Sequence, residues 1–220
     1  MKHTFFIKDW LNSFLSLLFP HCCVVCGRPL AKGEECLCIM CNINLPRTNY
    51  HLRKDNPVER LFWGQIPLER ATSFFFYRKG SDFRQILHQL KYGGKKEVGI
   101  IMGRYMAAEL SDSGFFEGVD VIIPIPLHKK KQQIRGYNQS ECIARGIAAV
   151  TGIAVCVESV VRRKNTETQT RKSVFERWEN VDGIFELNHA DSLTGKHILI
   201  VDDVLTTGAT TMAHPINLGD

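Results

Sequence analysis

The chain is 220 residues long, 44% hydrophobic and 23% charged, with 28 basic and 23 acidic side chains and a formal net charge of +5. That balance excludes a disordered tail, a collagen-like fibre and a polytopic membrane protein, and the length sets one or two domains. A sequence pI near 8.8 permits anionic partners such as phosphates, nucleotides or DNA without requiring any of them. Cysteine is the informative count. Six of the eight fall between Cys22 and Cys41, a clustering that suggests a local metal site rather than a domain-wide disulfide framework.

Residues 1–19 place apolar side chains at 7, 10, 11, 14, 15, 17 and 18, close to helical spacing, and so predict an amphipathic helix packed on this protein or a partner. Lys8 and Asp9 interrupt the run, no small-x-small cleavage site follows, and the uninterrupted stretch is too short to cross a bilayer. Membrane-surface contact is the minority reading, and the chain is expected in the cytoplasm. Residues 20–50 follow as a small cysteine-rich, zinc-ribbon-like module. Cys23-Val-Val-Cys26 and Cys38-Ile-Met-Cys41 are two C-x-x-C knuckles separated by 11 residues. Four thiolates suit a tetrahedral, structural Zn²⁺, and Gly27 permits the tight turn after the first knuckle. A redox-active C-x-x-C pair is the competing reading. Cys22 and Cys36 either replace a neighbour as ligand or remain free thiols, whereas Cys142 and Cys156 lie on apolar faces and read as core residues.

The polar run His51–Pro57 reads as a linker, and residues 58–220 as an α/β domain. Ala71–Tyr77 predicts a short strand. Ser81-Asp82 offers a helix N-cap before Phe83, Ile86, Leu87 and Leu90, and Val98, Ile101, Met102, Tyr105 and Met106 repeat the helical period. Val119–Ile125 predicts a buried strand, followed by a basic loop and a helix near Ser140–Val150. Strands are expected at Ile153–Val161, Gly183–Leu187 and Lys196–Val201, with a polar loop over Arg162–Asn180. Apolar strands alternating with helices imply a mostly parallel sheet flanked by helices.

The richest segment is His197–Thr211, where a buried strand ends at Asp202 and Asp203 and continues as Thr206-Thr-Gly-Ala-Thr210 into a helical start. In open α/β sheets ligands bind beyond the carboxyl ends of the strands. Small residues, hydroxyls and backbone N–H groups at a helix start suit a phosphate. Adjacent carboxylates repel a phosphate but accept hydrogen bonds from sugar hydroxyls, so a ribose 5-phosphate matches this division of labour. The plainer alternative is a solvated strand end followed by a capped helix. Within the basic loop, Lys129, Lys130, Lys131 and Arg135 suit a pyrophosphate, a nucleic-acid backbone, or simply water. Arg135 is the most specific of these, because it precedes Gly136 and the Asn138-Gln139 helix start.

Val201–Thr210 resembles the loop that binds 5-phosphoribosyl 1-diphosphate (PRPP) in type I phosphoribosyltransferases. Pro124-Ile-Pro-Leu-His-Lys-Lys130 with Arg135-Gly-Tyr-Asn-Gln139, Thr168-Gln169 with Arg177 and Asn180-Val181, and Leu90-Lys-Tyr92 resemble the ComF family. That family, competence protein F, also called GntX-like, carries such a domain behind a cysteine module. The resemblance implies a type I phosphoribosyltransferase-like α/β fold. It implies that Asp202 and Asp203 hold the ribose 2′- and 3′-hydroxyls, and that Thr206, Thr207, Gly208, Ala209 and Thr210 hold the 5′-phosphate. It further implies that a diphosphate escorted by Mg²⁺ leaves from C1, with Arg135 acting there. The Arg162–Ser173 stretch resembles the flexible catalytic loop of amidophosphoribosyltransferases, with Arg177 anchoring its end or forming a surface ion pair.

Three functions follow as expectations. The first is a PRPP-binding protein of natural competence that handles incoming single-stranded DNA with competence-machinery proteins. The second is a true transferase moving phosphoribose to an amine or base, and the third is a non-catalytic adaptor that retains the fold. The family's domain continues past its loop with a helix and a further strand. Here Pro215 ends the helix early, so the C-terminus is expected to be truncated or frameshifted.

Overall fold

The computed structural model describes residues 20–162, 185–188 and 190–206. The expected amphipathic helix, most of the polar loop after Arg162 and the end of the chain lie outside them. The chain divides into two compact units, Met1–Pro46 with Tyr77–Ile86, and Arg47–Phe76 with Leu87–Asp220.

The first unit is a turn-rich cysteine module. A bridge between Cys22 and Pro29 closes a short antiparallel loop, and Leu30 N–H donates to His21 O at 2.8 Å. Helix α1 (Ile39–Ile43) begins after Cys38, which stands at its N-cap. Glu34 fastens this start: its carboxylate accepts from Ala31 N–H and Ile39 N–H, both at 2.7 Å. Those two charge-assisted bonds also hold the Glu34 carboxyl below the usual range.

In the second unit the predicted parallel sheet forms. Strand β1 (Val121–Pro124) lies centrally between β2 (Ala154–Val155) and β5 (Ile198–Val201), parallel to both, in the order β2-β1-β5. Val121 pairs with Ala154 and Ile198, and Ile123 with Ile200. Successive side chains point to opposite faces, so each strand serves two cores. Val121, Ile123 and Ile125 pack with Val160, Phe185 and Leu193 on one face. On the other, Ile122 and Val201 pack with Ala107, Ala144 and Ile147. That second face is covered by α4 (Lys96–Ser111) and α6 (Gln139–Thr151), which follow the predicted helices closely. The two helices meet through glycine: a Cβ at Gly103 would overlap the Ile143 carbonyl, and one at Gly146 the Ile100 carbonyl.

Four expectations are corrected. The Ile153–Val161 run does not form one strand. It breaks into β2 and β3 (Val160–Arg162), and β3 pairs antiparallel with β4 (Phe185–Leu187) in a separate two-stranded sheet. The apolar run is interrupted at Glu158-Ser159, and the chain bends there between the two sheets. Ala71–Tyr77 forms no strand, only a bridge from Phe75 to Arg47, because its aromatics pack sideways: Phe76 stands edge-on to Tyr50, their ring centroids 5.7 Å apart. The basic loop is largely helix α5 (Lys129–Arg135), whose first turn is capped by His128 Nδ1 accepting from Lys130 N–H at 3.3 Å and whose end is turned by Gly136 at φ 79°. The 51–57 stretch is no linker. His51 and Asn56 are buried, and Asn56 caps α2 (Pro57–Arg60) with a reciprocal capping box through Glu59. Among the described residues, no helix is long and apolar enough to cross a membrane.

Candidate functional sites

The ligand atoms of Cys23, Cys26, Cys38 and Cys41 all lie within 4.8 Å of one another. Cys26 Sγ and Cys38 Sγ are 3.7 Å apart, close to the ~3.8 Å edge of a tetrahedron with ~2.3 Å metal–sulfur bonds. Local turns produce this. Gly27, at φ 73°, allows its N–H to reach Cys23 O at 2.9 Å, which folds the first knuckle. The start of α1 folds the second, with Asn42 N–H donating to Cys38 O at 2.9 Å. The Cys26 thiol is lowered to about 6, first by a backbone hydrogen bond from Arg28 and then by its cysteine neighbours, whereas burial pushes Cys41 up. An all-thiol tetrahedral set fits a soft or borderline ion such as Zn²⁺. Cys22 and Cys36 stand outside the quartet. Cys36 is buried, and its thiol is raised to about 12. Cys142 is a core residue as expected, and Cys156 packs half-buried against the β3–β4 face of the sheet.

In the second unit a different cluster gathers at the carboxyl ends of β1 and β5. Asp202 and Asp203 directly follow β5. Asp202 Oδ1 accepts from Ser140 Oγ at 3.1 Å and from Asp203 N–H at 2.8 Å. Burial, and then the adjacent Asp203 carboxylate, push the Asp202 carboxyl up to about 6, against these bonds and the Lys91 charge. Asp203 is held by Lys91, whose Nζ lies 3.0 Å from Oδ2. Lys91 stands near the end of α3 (Arg84–Tyr92), a helix the sequence predicted. Arg162, at the end of β3, is desolvated, which lowers its pKa, while the Asp202 charge acts in the opposite sense.

The Arg135–Gln139 segment is fastened to the same edge. Asn138 donates to Ile125 O at 3.0 Å and accepts from Ser140 N–H at 3.1 Å, so one buried side chain ties the end of β1 to the start of α6. Arg135 Nη1 donates to Gln139 Oε1 at 2.7 Å, and its guanidinium stands 5.5 Å from the Tyr92 ring centre. Lys129 and Lys130 are exposed on the first turn of α5, with Lys131 half-buried beside them. Cations there oppose the helix dipole. Thr206 is exposed at the last described position. Thr207, Gly208, Ala209, Thr210 and Arg177 lie outside the described residues.

The sequence pattern does not mark Lys91, Tyr92 and Ser140 as site residues. Lys91 and Tyr92 belong to the Leu90-Lys-Tyr92 segment that carried part of the resemblance, and Ser140 directly follows Asn138-Gln139. Only the packing of α3 and α6 on the strand ends shows what they touch.

The molecule is thus an α/β protein with a four-thiol cluster and, in its other unit, an acid pair faced by cations at the carboxyl edge of a parallel sheet. The DNA utilization protein YhgH of Shigella flexneri is 29% identical over 209 residues, covering 88% of each chain. The competence protein ComFC of Bacillus subtilis is 26% identical over 203 residues, 90% of this chain and 72% of its own. Competence protein F of Haemophilus influenzae is 34% identical over 92 residues, 41% and 40% of the two chains. No protein-family model and no solved structure matches the chain. Along most of its length the chain is thus similar to proteins named for DNA utilization and for competence.

Proposed function

We propose that this protein binds a phosphoribosyl ligand, PRPP in the first instance, and acts in the cytoplasm in natural competence, in the uptake and handling of single-stranded DNA. The observation that carries the reading is the pairing of opposite chemistries at one sheet edge. Asp202 and Asp203 offer acceptors suited to a vicinal diol, and Lys91 offers positive charge against Asp203, with Arg135 stacked on the neighbouring Tyr92. A sugar carrying anionic groups satisfies both; a nucleobase or a free phosphate satisfies one. Thr206 begins the segment assigned to the 5′-phosphate. Mg²⁺ would supply charge neutralisation of the diphosphate, with ligand oxygens as most of its coordination. The competence role is supported by the names of the relatives, and Lys129–Lys131 on the exposed turn of α5 suit a nucleic-acid backbone.

Calorimetry with PRPP and Mg²⁺ tests the reading, with the Asp202→Asn/Asp203→Asn double variant as control. Saturable binding by the folded wild type that the double variant loses is expected. No heat from the folded wild type refutes it. For DNA, binding of a single strand should weaken with salt and weaken uniformly when Lys129–Lys131 are neutralised. A flat salt response removes the α5 lysines from the proposal.

A further inference from the structure

The end of α3 is fastened to the sheet edge more tightly than an amphipathic helix requires. Tyr137 Oη donates to Leu90 O at 2.7 Å, the Arg135 guanidinium lies over the Tyr92 ring, and between them Lys91 meets Asp203. That ion pair is largely withdrawn from water: the side chains of Lys91 and Asp203 are 23% and 14% exposed. Asp203 is one of the two carboxylates assigned to the ribose hydroxyls, so Lys91 occupies an acceptor that the ligand needs.

We propose that Lys91 is a specificity-determining residue of the phosphoribosyl site. In the free protein its ammonium neutralises Asp203, and on binding it transfers to the anionic group that the ligand carries at C1. The inference rests on the phosphoribosyl reading above. Ribose hydroxyls bring hydrogen-bond donors to Asp203 but no charge. A ligand that displaces Lys91 with hydroxyls alone leaves a partly buried ammonium without its anion, which is costly. A ligand with a second anionic group beyond C1 supplies the missing partner. Arg135, stacked on Tyr92 one residue along α3, adds a further positive charge to this end of the helix. The site therefore discriminates against ribose 5-phosphate in favour of its 1-diphosphate, by a penalty against the wrong ligand as much as by attraction for the right one.

Titration calorimetry of wild type, Lys91→Met and Lys91→Arg with PRPP plus Mg²⁺, and separately with ribose 5-phosphate, decides this. Lys91→Met is expected to weaken PRPP about tenfold or more, the effect of losing one charge-assisted contact. Ribose 5-phosphate should bind unchanged or tighter, so the ratio of the two affinities collapses, and Lys91→Arg should restore part of it. Equal losses for both ligands, or none, overturn the inference while leaving the phosphoribosyl reading intact. A folded wild type that binds neither ligand overturns that reading, and the inference falls with it. A second measurement needs no variant: in the wild type, the lysine-side-chain NMR signal assigned to Lys91 should shift on adding PRPP and shift differently with ribose 5-phosphate. An unmoved signal under saturating PRPP sinks the proposal.

Discussion

The cysteine cluster and the acid pair are both four or five side chains brought together, yet they are assembled over very different lengths of chain. The four thiols come from 19 consecutive residues, Cys23 to Cys41, folded by two local turns. The acid site draws Lys91 from α3, Arg135 and Ser140 from either side of Gly136, and Asp202 and Asp203 from the end of β5. A knuckle needs only a turn to place its ligands, so spacing suffices to recognise it. A site at a sheet edge needs the register of β1 with β5 and the seating of helices on both, which no local pattern contains.

This difference can be broken experimentally, and the largest expected effect is in the module. Metal binding to such a quartet is folding free energy on the order of 10 kcal/mol, so chelation or Cys38→Ser should abolish ordered signals from residues 20–46 in an NMR spectrum. Cys36→Ser is the sharpening control, since Cys36 is buried outside the quartet. Metal analysis should then still find one equivalent, and a loss of metal in that variant would reassign the ligands.

Next comes Gly146→Val, which forces a side chain into the Ile100 carbonyl where α4 and α6 meet. A loss of about 3 kcal/mol or more is expected from denaturant unfolding. A neutral result would mean that the helices cross differently.

Asp202→Asn comes third. The folded carboxyl stands near 6, above the usual value of about 4. Between those values the folded state holds more protons than the unfolded one, so the native Asp202 costs stability as pH rises through that window. The substitution should therefore stabilise by on the order of 2 kcal/mol at pH 8 and have little effect at pH 4. Thermal melts at the two pH values check this, and equal shifts at both would contradict it. A variant more stable but unable to bind ligand would show that the acid pair is kept for function at the expense of folding.

Smallest is Ser140→Ala, which removes one donor from Asp202. A loss of about 1 kcal/mol is expected. Carbon-detected titration of the Asp202 carboxyl should show its pKa move further up, because a bond to the charged form has been lost.

Much of the architecture is legible in the amino-acid sequence. The α4 and α6 periods, the buried β1 strand, the half-buried β5 strand and the two knuckles all appear close to where the pattern placed them, because each is set by residues near one another in the chain. The failures share one cause. Ala71–Tyr77 has strand-like residues but packs its aromatics on neighbouring turns, and Ile153–Val161, apolar except at Glu158-Ser159, is cut between two sheets. His51–Pro57 is polar, yet its Asn56 side chain donates to the carbonyls of Tyr50, Arg53 and Ala71 as well as capping α2, and so is buried. In each case tertiary partners outweighed local composition.

The amino-acid sequence by itself determined the four-thiol cluster of the first unit, the parallel α/β character of the second, and the two carboxylates at the end of β5, because turn residues, hydrophobic period and strand ends are local properties. Only the tertiary structure decided what those carboxylates face. Lys91 stands 112 positions before Asp203 in the chain, and their pairing exists because α3 ends at the edge where β1 and β5, in register, both end.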